Sequence, residues 1–99
     1  MTEAQTLLQI HLKELGIETI SEYQFDCDRK FRFDLVSLEH RIGFECNGHF
    51  QGKHGTGWSK EAEKLNLAQM NGWRVLQFHN REVLNGKAKE FLARYLGDQ

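Results

Sequence analysis

The chain has no proline, two cysteines and no long apolar run. Without proline, internal repeats or low-complexity tracts, nothing reads as a linker. The 99 residues therefore form one domain, with a radius of gyration of about 13 Å. A membrane-spanning helix needs roughly 20 consecutive apolar residues, and no stretch approaches that, so no membrane partner is expected. The start, MTEAQTLLQI, is acidic and amphipathic and lacks the build of a secretory signal. The expectation is a cytoplasmic protein. In a reducing compartment Cys27 and Cys46 read as buried free thiols. A zinc site from Cys27, Cys46, His49 and His54 lacks a C-x-x-C pair.

One sign of charge is not in excess either. The net charge is −1, which argues mildly against a life on nucleic acid. The distribution is uneven, however. Residues 1–27 hold one Lys and five acids, a net of −4. Residues 28–64 hold seven Lys/Arg and six acids, and residues 65–99 hold five and three, nets of +1 and +2. The middle and end can present a weakly basic face.

What the sequence does have is a stretch of alternation, FRFDLVSLEHRIGFECNG, from Phe31 to Gly48. Period-two alternation marks half-buried strands. It puts Phe31, Phe33 and Leu35 on one face of a first strand and Arg32 and Asp34 on the other. On the second strand Ile42, Phe44 and Cys46 share the apolar face, with Arg41, Glu45 and Asn47 opposite. A turn centred between Glu39 and His40 sets Asp34 directly across from Glu45, with Cβ atoms roughly 4.5–5.5 Å apart. Two carboxylates that close repel unless something positive joins them: a proton, an arginine or a divalent cation. A hard cation is held by one or two carboxylates plus waters and phosphate oxygens. The plainer alternative is two solvated acids paired with Arg32 and Arg41.

The remaining elements follow from caps and periodicity. Residues 3–15 read as a helix, with Thr2 as N-cap, Gly16 past its end and Glu3 in the first turn. A strand spans 22–27, with Tyr23, Phe25 and Cys27 inward. After the hairpin comes GHFQGKHGTG, a glycine-rich loop that lets backbone approach a ligand; Lys53 and His54 are its candidates for phosphate contact. Ser59 caps a helix over 59–71, with Ala62, Leu65 and Ala68 inward and Lys60 and Lys64 together on one face. WRVLQF, residues 73–78, reads as a strand buried on both faces, reached by a right-handed parallel crossover. A last helix runs from about Arg81 to Leu96, with Leu84, Ala88, Phe91, Leu92 and Tyr95 inward. The fold class is α/β: a mixed four-stranded sheet flanked by helices, in the order α-β-β-β-α-β-α.

That order, with Arg32-Phe33-Asp34, Phe44-Glu45-Cys46-Asn47-Gly48, Glu63-Lys64-Leu65-Asn66 and Gly72-Trp73-Arg74-Val75-Leu76, resembles the PD-(D/E)XK nuclease superfamily. Within it, the chain is similar to small phage and prophage endonucleases akin to Holliday-junction resolvases and very-short-patch repair enzymes. The resemblance covers nearly the whole chain. It implies a restriction-endonuclease-like fold and a Mg²⁺- or Mn²⁺-dependent DNA endonuclease, acting on branched DNA or by nicking. Asp34 and Glu45 match the motif acids and metal ligands, and the Cys46 backbone carbonyl matches a further ligand. Glu3 matches the first-helix acid of many members. The motif lysine is replaced by Asn47, which can position a water but brings no charge. Lys64 is the candidate replacement and Lys53 the second choice. DNA contacts fall to Lys53, His54, His49, Lys60 and Arg32, and the working form is a homodimer or part of a larger nucleoprotein assembly. Two other readings stay open: a DNA-binding module that has lost catalysis, and a histidine-metal nuclease built on His49, His54 and His79, which lacks the ββα order.

Overall fold

A single four-stranded sheet, its strands neighbours in chain order, organises the chain. The computed structural model describes residues 1–26, 28, 30–48 and 59–97. His49, Lys53, His54 and Cys27 lie outside the described residues. The elements are α1 (Glu3–Glu14), β1 (Ile20–Gln24), β2 (Arg32–Ser37), β3 (Ile42–Asn47), α2 (Lys60–Met70), β4 (Arg74–His79), α3 (Asn80–Leu84) and α4 (Lys87–Leu96). The expected order holds, apart from a division of the last helix.

Local chemistry sets the helix starts. The Thr2 hydroxyl accepts from the Gln5 N–H, and the Gln5 side chain accepts in turn from the Thr2 N–H, a reciprocal capping box. The Ser59 hydroxyl accepts from the Ala62 N–H at 3.0 Å and opens α2. The expected single last helix breaks at Gly86, whose φ of 89° is left-handed. The break turns the stripe: Val83, Ala88 and Leu92 are buried, while Leu84, Phe91 and Tyr95 are exposed.

β1, β2 and β3 pair antiparallel, and β3 and β4 pair parallel. One face carries Leu35, Ile42, Phe44 and Phe78 under α1, α3 and α4, through Leu8, Leu12, Val83 and Leu92. The other carries Phe33, Val36 and Trp73 under α2, through Ala68. This corrects one expectation. Phe33 and Leu35 do not share a face, because β2 changes face between them. β4 is packed on both faces, by Val75 in one cluster and by Leu76 and Phe78 in the other, yet it is the sheet edge, with Arg74 and Gln77 exposed.

A second joint holds the turns at one end of the sheet. The Arg41 guanidinium lies 4.3 Å over the Trp73 ring and donates to the Asn71 carbonyl at 2.6 Å. It ties the β2–β3 turn to the end of α2. Arg41 is thus used in packing and does not pair with Asp34 or Glu45.

Candidate active site at a fork between two strands

The hairpin pairs Ser37 with Ile42, Val36 with Gly43 and Leu35 with Phe44. That register sets Asp34 against Glu45. The ladder stops one step short of them, and the side chains take over. The Asp34 N–H donates to Glu45 Oε2 at 3.1 Å, and the Cys46 N–H donates to Asp34 Oδ2 at 2.9 Å. Each carboxylate therefore satisfies a backbone donor of the opposite strand. Beyond this point β2 stays with β1, through Tyr23–Phe33 and Gln24–Arg32. β3 stays with β4, through Asn47–His79. The sheet forks, and the two acids stand in the fork.

The neighbouring backbone bends at the same level. Glu22, which falls across from Asp34 between the pairs Ser21–Leu35 and Tyr23–Phe33, has a φ of 54°. A non-glycine residue held there is strained, and such strain gathers at functional sites. Phe33 turns to the α2 face at this level and covers Gly43, leaving no room there for a side chain.

α2 supplies the cation. Ala68 is buried against the Phe33 cluster, and Lys64, one turn earlier on the same side, extends over the sheet. Its Nζ lies 2.9 Å from Glu45 Oε1 and 5.5 Å from the Phe33 ring centroid. Glu45 is 5% exposed. Burial pushes its pKa up; the hydrogen bond and charge of Lys64 act against that, the Asp34 charge adds to it, and the Asp34 N–H opposes it. The net direction is up. The Cys46 thiol is pushed up to about 12, first by burial and then by the charges of Asp34 and Glu45. Cys46 is free and half-buried against the core cluster under α1, α3 and α4.

The other anticipated site residues are placed as follows. Asn47 ends β3, two residues beyond Glu45 and paired with His79. Lys60 opens α2 one turn before Lys64 and is exposed, as is Arg32 at the start of β2. Glu3 is exposed in the first turn of α1, and α1 packs on the opposite face of the sheet from α2. No hydrogen bond or ion pair joins Glu3 to Asp34 or Glu45. His79 caps α3: its Nδ1 accepts from the Arg81 N–H at 3.0 Å. Sequence reading missed Phe33 as the ring beneath Lys64 and Gln77 as the β4 residue level with Glu45. The signal for Phe33 was Gly43, a glycine in mid-strand that marks a close approach.

Among solved structures, the homing endonuclease I-Bth0305I catalytic domain superposes with a TM-score of 0.69. The alignment covers 95% of this chain and 93% of that one, at 18% identity. This chain has that domain's fold. No protein-family model and no curated protein matches the sequence. The likeness in fold therefore rests on the order and packing of elements over nearly the full length of both chains. No helix among the described residues is long and apolar enough to cross a membrane.

Proposed function

We propose that this chain is a metal-dependent DNA endonuclease of the PD-(D/E)XK kind, hydrolysing phosphodiester bonds with Mg²⁺ or Mn²⁺. The observation that carries the reading is the fork: Asp34 and Glu45 between two strands, with the Lys64 ammonium at 2.9 Å from Glu45. The structural neighbour is an endonuclease catalytic domain, which supports the same class of reaction.

The donor set fits a hard divalent cation. A carboxylate offers about four lone-pair directions, and a single backbone N–H takes one at each acid here. Among the described residues no three His, Cys, Asp or Glu side chains cluster as a metal cage. Two carboxylates completed by water and phosphate oxygens suit Mg²⁺ better than Zn²⁺. Asp34, Glu45 and the Cys46 carbonyl would hold the ion. When bound, it would neutralise phosphate charge and make an attacking water easier to deprotonate. Lys64 would stabilise charge developing on the phosphoryl oxygens, and the Asn47 amide would orient the water. Arg32 and Lys60, with Lys53, His49 and His54 from the glycine-rich loop, would contact the DNA backbone.

The test is incubation with branched and linear duplex DNA, with and without Mg²⁺ or Mn²⁺. Metal-dependent cutting that Asp34→Ala and Glu45→Ala each abolish is the expected result. Salt-sensitive binding without cutting, unchanged by those substitutions, would instead identify a DNA-binding module. A protein that neither binds nor cuts DNA would overturn the proposal.

A further inference from the structure

We infer that Lys64 is a resident counter-ion of Glu45, and that it must leave Glu45 when a divalent cation binds at the fork. The inference rests on the metal-site reading above and adds a step to it: one carboxylate alternates between two cations.

The geometry carries the argument. Lys64 Nζ lies 2.9 Å from Glu45 Oε1, while Glu45 Oε2 accepts from the Asp34 N–H. Each oxygen of Glu45 therefore already carries one donor, one of them a backbone group fixed in β2. The other partner is a side chain on a flexible four-carbon stem. Of the two donors, the lysine is the one that can move away, and charge repulsion from an arriving cation acts on it. The pair is also sheltered, with side-chain exposures of 14% for Lys64 and 6% for Glu45. An ammonium and a divalent cation on one sheltered carboxylate repel strongly, since screening there is weak.

A released ammonium need not travel far. It stays tethered to α2 over the Phe33 ring, which can hold a cation by its face. From there it is available to a phosphate oxygen. Lys60, one turn nearer the start of α2, is exposed and carries the same charge to the same side. On this account metal arrival and phosphate capture are coupled through Lys64, which acts as a positioning residue before it meets substrate.

Calorimetric titration of Mn²⁺ without DNA tests this apart from activity. Lys64→Met, which keeps the length and removes the charge, is expected to bind Mn²⁺ roughly tenfold tighter or more than the parent chain. Lys64→Gln serves if the methionine variant does not fold by circular dichroism. Unchanged or weaker Mn²⁺ binding in a folded variant would overturn the exchange while leaving the metal site standing. No Mn²⁺ binding by parent or variants would overturn both. In the unaltered protein, the Lys64 ammonium resonance in ¹⁵N spectra is expected to shift or broaden as Mg²⁺ saturates the site. A resonance that stays fixed at saturation would overturn the exchange.

Discussion

Phe33 lies so close over Gly43 that a Cβ there would sit 2.6–2.7 Å from three of its ring carbons. This contact explains how β2 can turn Phe33 to the α2 face just before Asp34 enters the fork. Gly43→Ala would push the ring away and disturb the Phe33–Trp73 edge contact, now at 5.9 Å between centroids. Overpacking of this kind costs about 1–3 kcal/mol. The urea midpoint of Gly43→Ala should fall accordingly. Adding Phe33→Leu should recover part of that loss, a coupling a double-mutant cycle would register. Additive losses would show that the ring is not the obstacle.

Glu45 gives a pH signature in metal-free protein. Its folded pKa is raised, chiefly by burial, so the folded state binds its proton more tightly than the unfolded chain. Stability from this group is present below the unfolded pKa of 4.5 and is lost as pH rises through the folded value. Glu45→Gln removes that dependence. In EDTA, the stability of the parent relative to Glu45→Gln should decline from pH 4 towards neutrality. A flat difference across that range would contradict the burial argument.

Cys46 should be slow to alkylate. With its pKa pushed from 9.0 to about 12, the thiolate fraction at pH 8 falls by two orders of magnitude or more. Iodoacetamide labelling followed by peptide mass spectrometry should find Cys46 nearly unmodified in native protein and labelled in urea. Asp34→Asn removes one of the charges holding the pKa up and should speed native labelling. Equal rates in native and unfolded protein would remove the thiol from the sheltered position described.

Gly86 divides the last helical segment. A Cβ there would meet nothing within 4 Å, but φ is 89°, so the cost of Gly86→Ala is conformational alone. It should lower stability by about 1–2 kcal/mol, with Gly86→Asn less costly because Asn tolerates the left-handed region. A thermal melt that leaves Gly86→Ala unchanged would mean the segment can straighten into one helix.

The sequence determined what depends on near neighbours. Thr2 and Ser59 cap their helices by bonds three residues long. The period of two across Phe31–Gly48, with the turn between its halves, sets the register that opposes Asp34 and Glu45. Repulsion between two acids then called for a positive partner, a proton, an arginine or a divalent cation, while Lys64 came only from the family resemblance, as a stand-in for the motif lysine. Tertiary packing decided the rest. Alternation could not foresee Phe33 leaving the face of Leu35, because that depends on Gly43 being small on another strand. The apolar run of β4 could not reveal that it lies at the sheet edge. Of the periodic Leu84–Tyr95 stripe, Ala88 and Leu92 reach the core, while the left-handed Gly86 leaves Leu84, Phe91 and Tyr95 exposed. Above all, the fork itself is a tertiary fact: two strands part because each finds a better partner on its outer side, and the carboxylates take the hydrogen bonds that the ladder gives up.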